Sequence, residues 1–115
     1  MTLEELAGRL RAFAEERDWE QFHSPKNLSM ALSVEAAELL EHFQWLTEEE
    51  SARLPPGRLA AVGEEMADVF IYLLRLADRL GVDLEREARA KMAKNAERYP
   101  VEKSRGHKRK YSELT

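Results

Sequence analysis

The chain has 115 residues, a net charge of −4 and no cysteine, enough for one modest core but with no thiol for a disulfide framework or a thiolate metal site. No apolar run approaches the ~20 residues of a membrane span and MTLEELAGRLRAF is no signal peptide, so a soluble, cytoplasmic protein is expected. Residues 101–115 carry five cations against two carboxylates, net +3, which leaves −7 on the first hundred, a balance suited to metal cations, or to an anionic substrate arriving with metal, rather than to a polyanion.

Thr2 and Glu5 make a capping box, and Leu3, Leu6, Leu10 and Phe13 follow at helical spacing, which predicts a first helix ending near Arg17. DWEQFHSPKN is aromatic and aperiodic and reads as a loop, with Pro25 as a breaker. A second helix is expected from about Asn27 to Trp45. Thr47 and Glu50 cap a short connecting helix that stops at Leu54-Pro55-Pro56-Gly57. The next helix runs from about Arg58 to Leu80, with Gly81 as its stop. Asp83 is the expected N-cap of the last helix, which ends near Tyr99-Pro100. No strand pattern occurs. The expected fold is all-α: an antiparallel bundle of four main helices plus a short connecting helix over residues 1–100, followed by a basic polar tail over 101–115.

The helix at 58–80 is apolar nearly all round. Leu59, Val62, Met66, Val69, Leu73, Leu76 and Leu80 form one stripe, and Gly63, Ala67, Phe70 and Leu74 fall on a second face. From Met66 to Ala77 the only charges are Asp68 and Arg75. Such a helix is buried on more than one side, and a chain this short has little to cover both with. A homo-oligomer is therefore expected, the alternative being that the other helices of the chain wrap this one completely.

Two acidic pairs edge the two most apolar helices: Glu35 with Glu38, and Glu65 with Asp68. Each is followed four residues later by a ring, His42 or Tyr72. If the helices pack antiparallel, the four carboxylates converge at one rim. Two carboxylates ~5 Å apart repel by roughly 3 kcal/mol at an effective dielectric of ~20. Either they splay into water, or some stay protonated, or a cation binds. An all-oxygen set suits Mg²⁺ or Mn²⁺. A di-iron bundle would repeat Glu-x-x-His, which occurs once, at Glu20 and His23. Lys91 and Asn95 fall within the apolar stripe of the last helix; the lysine either snorkels past the core edge or meets phosphate oxygens. Trp19, Phe22, His23 and Trp45 either plug the core or form a stacking platform for a nucleobase. Carboxylates for a hard metal, a cation and flat rings together suggest a nucleotide pocket. A non-catalytic helical oligomer that sequesters divalent ions at its acidic edge is the alternative.

The pattern Glu35-x-x-Glu38 and Glu65-x-x-Asp68 resembles the signature of the all-α nucleoside triphosphate pyrophosphohydrolases, the MazG-like superfamily. RDWEQFHSPKNL, EHFQW, EEMADVFIYLL, KMAKNAERYP and the closing KYSEL look like its dCTP pyrophosphatase branch. The resemblance implies a Mg²⁺-dependent enzyme that splits a nucleoside triphosphate into monophosphate and pyrophosphate, assembled as a tetramer. It implies metal ligands at Glu35, Glu38, Glu65 and Asp68, and substrate contacts at Trp19, His23, Trp45 and Tyr72, with Lys91 and Asn95 on the phosphate side. Glu38 is the expected general base. Leu10 replaces a polar base-contacting residue of some relatives, which bears on base preference. The tail is expected to be a solvated arm near substrate phosphates rather than a nucleic-acid-binding segment, and no membrane partner is expected.

Overall fold

The computed structural model describes residues 1–106. Residues 107–115, which hold most of the expected basic tail and the KYSEL motif, lie outside the described residues. The helices, in order, are α1 (Leu3–Glu16), α2 (Pro25–Glu41), α3 (Glu48–Ser51), α4 (Pro56–Leu80), α5 (Leu84–Arg98) and α6 (Val101–Ser104), with one turn of 3-10 helix at Glu20–Phe22. No strand occurs among the described residues. None of these helices is long and apolar enough to cross a membrane. The chain divides into two compact units, Met1–Val82 and a second that begins at Asp83.

Local chemistry sets the helix ends. The Thr2 hydroxyl accepts from the Glu5 amide at 3.1 Å, and the Glu5 carboxylate accepts from the Thr2 amide at 3.4 Å. The same reciprocal box opens α3 at Thr47 and Glu50. Pro25 does not break a helix but begins one. Ser24 caps α2 by accepting from the Asn27 amide at 3.1 Å, and Pro25 takes the first helical position, where its missing N–H costs no hydrogen bond. Pro56 starts α4 in the same way. α2 stops at Glu41, four residues before Trp45, and the chain leaves through turns. At the far end of α4, Gly81 sits at φ 70 and lets the Val82 amide return to the Ala77 carbonyl at 2.8 Å. That left-handed position favours glycine.

α2 and α4 are the central pair, and they run antiparallel. The start of α4 meets the end of α2, where Arg58 Nη1 donates to the His42 carbonyl at 3.0 Å. The end of α4 meets the entry to α2, where Arg75 and Arg79 both reach Glu20. α1 is tied to α4 by Arg11, which grips Asp78 at 2.6 and 3.0 Å. The small core holds Ala14, Leu28, Val62, Leu74 and Ala77.

The two faces of α4 are distributed differently from the expectation. Leu74 of the second face is buried, whereas Leu59, Met66, Leu73 and Leu80 of the first stripe are exposed together with Phe70. Met30, Val34 and Leu40 leave a second exposed apolar line on α2. In the second unit, Asp83 caps α5 by accepting from the Arg86 amide at 3.1 Å. Residues 101–104 form a helical turn, α6, where a tail was expected.

Candidate functional site

Antiparallel packing brings Glu35 and Glu38 of α2 to Glu65 of α4. One carboxylate oxygen from each lies within 4.8 Å of the other two. Glu35 and Glu38 are one helical turn apart on the same edge, so their convergence follows from spacing and the third member from packing. Glu35 Oε2 and Glu65 Oε1 are buried and have no hydrogen-bond partner. Buried acceptors normally have one. The proton affinity of Glu35 is raised first by the Glu65 carboxylate facing it and then by burial. That of Glu38 is raised first by Glu35. The cluster thus binds a proton more tightly than an isolated carboxylate does, and a divalent cation would relieve the same repulsion. Three oxygen donors, two of them with orphaned buried atoms, fit a hard cation of that kind.

Asp68 is not a member of this group. It lies one turn beyond Glu65, close enough for its charge to raise Glu35 further, but it lines a separate cavity of about 280 Å³. Trp19, His23 and Tyr72 line that cavity too, whose volume is just below the ~300–1,000 Å³ typical of small-molecule sites. Glu38 and Glu65 border a wide polar cleft of about 720 Å³ that also holds His42 and Arg58. The acidic cluster therefore borders the polar cleft directly, and Asp68 alone of the four acidic residues lines the mostly apolar, aromatic cavity.

The aromatic wall is placed by the end of α1. Asp18 takes a positive φ of 54, which aspartate tolerates better than most residues. The Trp19 amide then folds back to the Ala14 carbonyl at 2.9 Å. This turns the indole against Phe13, ring centroids 5.7 Å apart and edge-on, with the His23 ring 6.0 Å away. Arg17 covers the other surface of Phe13 at 3.5 Å. Asn27 fixes the loop by donating to the Phe22 carbonyl at 3.1 Å.

Arg75 lies beneath this wall and is 3% exposed. Its Nη2 donates to Glu20 at 2.5 Å and its Nη1 to Asp78 at 3.2 Å. Arg79 holds the second Glu20 oxygen at 2.6 Å. Asp78 stays ionised well below the usual carboxylate range, chiefly through its hydrogen bond with Arg11. Burial, and then Arg75, lowers the proton affinity of His23.

Of the residues expected at the site, Glu35, Glu38 and Glu65 come together, and Trp19, His23, Asp68 and Tyr72 share the cavity. Trp45 does not line it. The turns after Glu41 carry its ring outward, and it is 88% exposed. Lys91 and Asn95 are exposed on α5, in the second unit. Arg75 was not expected in the cavity wall; its signal was a lone cation in an otherwise apolar run.

Three comparisons agree with one another. The MazG-like family matches residues 30–114. The chain is similar to dCTP pyrophosphatase 1 of mouse, 49% identical over 98% of this chain and 68% of the relative, and to its human counterpart at 48% over the same shares. Among solved structures it is similar to a pyrophosphatase from Archaeoglobus fulgidus DSM 4304, with a TM-score of 0.80 and 44% identity, covering 84% of this chain and 91% of that one.

Proposed function

The chain belongs to the MazG-like family, and on that premise we propose that it hydrolyses a nucleoside triphosphate, with dCTP as the leading substrate, to the monophosphate and pyrophosphate. The observation that carries this reading is an adjacency. Asp68, whose charge acts on the Glu35–Glu38–Glu65 cluster, also lines the aromatic cavity. A ligand that spans the two is flat at one end and polyanionic at the other.

Glu35, Glu38 and Glu65 hold the divalent ion, Mg²⁺ or alternatively Mn²⁺, with Asp68 beside them. The bound ion supplies charge neutralisation along the triphosphate. The chain's residues do the rest. Trp19 and Tyr72 bracket the base and so fix the α-phosphorus relative to Glu38. Glu38, which borders the polar cleft beside Glu65, is the general base, its second carboxylate oxygen within reach of a water there. It takes the proton of a water whose oxygen bonds to the α-phosphorus. The bond from that phosphorus to the bridging oxygen breaks, and its electron pair leaves with pyrophosphate.

The test is product identification after incubation with Mg²⁺ and dCTP, dTTP, dGTP and dATP. The expected products are the nucleoside monophosphate and pyrophosphate in equal amounts. Diphosphate and orthophosphate as main products would contradict attack at the α-phosphorus. No product, with the ion still bound, would leave a metal-sequestering oligomer.

The same reading includes a homo-oligomer, in particular a tetramer, in the cytoplasm. Exposed Leu59, Met66, Phe70, Leu73 and Leu80 line one side of a single helix, and contiguous apolar surface of this kind is normally covered. Sedimentation at micromolar concentration is expected to give a multiple of the 13.3 kDa chain mass, and Phe70→Glu is expected to lower it. A wild-type monomer with full turnover would refute this.

A further inference from the structure

Arg75 is the one buried charged side chain among the described residues, and its surroundings restrict the state of its neighbour. A guanidinium carries only donors. Arg75 Nη2 lies 3.4 Å from His23 Nδ1, so that ring nitrogen can meet it only as an acceptor. A neutral imidazole whose Nδ1 accepts carries its proton on Nε2. Meanwhile Arg75 Nε is buried and has no partner at all. Both residues line the aromatic cavity.

We propose that Arg75 determines base selection by holding His23 as the neutral Nε2–H tautomer, so that the polar groups on this side of the cavity are donors and the cavity takes a base bearing a carbonyl oxygen. The inference rests on reading the cavity as the base site. The groups acting on His23 support its neutrality: burial, Arg75 and Arg79 of α4 all disfavour a second proton, and Glu20 of the 3-10 turn alone opposes them. Asp68 and Tyr72 line the same cavity and add no cation. An exocyclic amine facing these N–H groups would meet donors with donors, and sites built for hydrogen bonding discriminate strongly on that ground. Cytosine, thymine and guanine offer such donors a carbonyl oxygen with two lone pairs; adenine offers only ring nitrogens with one each. Arg75 acts through His23 and is a positioning residue.

Two measurements on the full chain test this. The first is ¹⁵N NMR of the histidine side chains without nucleotide, with the His23 signals assigned through His23→Gln. Wild type is expected to show a bare Nδ1 and a protonated Nε2, Arg75→Met a mixture of tautomers, and Arg75→Lys, which keeps a donor, the wild-type pattern. The second is KM and kcat for dCTP and dATP with Mg²⁺. Arg75→Met is expected to raise KM for dCTP roughly tenfold, the worth of about one hydrogen bond, with a smaller change in kcat, and to shrink the preference over dATP by the same factor. A protonated Nδ1 in wild-type His23 overturns the proposal without any variant. So does an Arg75→Met protein that keeps both the tautomer and the dCTP preference. A wild-type chain that turns over no triphosphate overturns the proposed function instead, and the NMR result, which needs no substrate, tells that failure apart. If Arg75→Met does not fold, the wild-type spectrum and Arg75→Lys decide.

Discussion

Glu35→Gln is expected to lose about a hundredfold or more of turnover, the scale of removing one charge-stabilising group from a catalytic site, while leaving the ion-free protein as stable as wild type or more so. Both effects have one source. Glu35 faces Glu65 and sits beside Glu38, their oxygens within 4.8 Å of one another, so without a cation the three carboxylates repel. A glutamine removes one charge and offers Glu65 an N–H in return. The pH dependence has a definite sign. Because the folded chain holds the Glu35 and Glu38 protons more tightly than their ordinary value of 4.5, their contribution to stability is full below that value and is lost as pH rises through the folded pKa values. Ion-free wild type should therefore melt progressively lower as the pH is raised above 4.5, and Glu35→Gln should flatten that slope. Adding Mg²⁺ should restore wild type by mass action, about 2.7 kcal/mol at a hundredfold excess over Kd. The variant, with a neutral amide in place of a hard anionic ligand, should lose most of that gain. Melting curves of both proteins across pH, with Mg²⁺ or EDTA, alongside turnover, check all of this. Near-normal turnover with an unchanged Mg²⁺ shift would remove Glu35 from the metal site.

What could be read from the sequence follows the range of the forces involved. Caps at Thr2, Thr47 and Asp83 join residues three apart, so adjacent letters encode them. Pro25 was misread because proline both ends and begins helices; Ser24, three residues before Asn27, carried the distinction. Spacing placed Glu35 with Glu38 but also grouped Asp68 with Glu65. Both pairs have the same three-residue spacing, so spacing cannot tell them apart; the packing of α2 against α4 puts Glu65 with Glu35 and Glu38 and leaves Asp68 in the cavity wall. Periodicity could not say which side of α4 the chain covers, since both sides are apolar. Leu74 of the second face is buried and Leu73 of the first stripe is exposed. The Glu20–Arg75 pair is 55 residues apart in sequence and is a product of tertiary packing.

That pair is expected to carry a large share of the fold's stability at this end of the molecule, and Glu20→Ala measures it. One carboxylate holds two guanidinium groups, Arg75 at 2.5 Å and Arg79 at 2.6 Å, and it belongs to the 3-10 turn between Trp19 and His23. Truncation leaves Arg75 buried, with Asp78 as its remaining carboxylate at 3.2 Å. Asp78 is already gripped by Arg11 through two hydrogen bonds, so its compensation is partial. Breaking a buried pair by removing one partner costs roughly 3–5 kcal/mol, and the remaining Asp78 contact puts the expected loss nearer 3. For a chain of this size that lowers Tm by about 10 °C, measured at a fixed protein concentration so that assembly does not confound it. If the cost comes from the stranded charge, Arg75→Met in the Glu20→Ala background should recover much of it, because an apolar side chain of similar length asks for no partner. If it comes from lost packing of the turn, the double variant should be no better than the single one. A Glu20→Ala protein that melts within two or three degrees of wild type, or a double variant with no recovery, would show that the buried guanidinium does not hold the cavity wall in place.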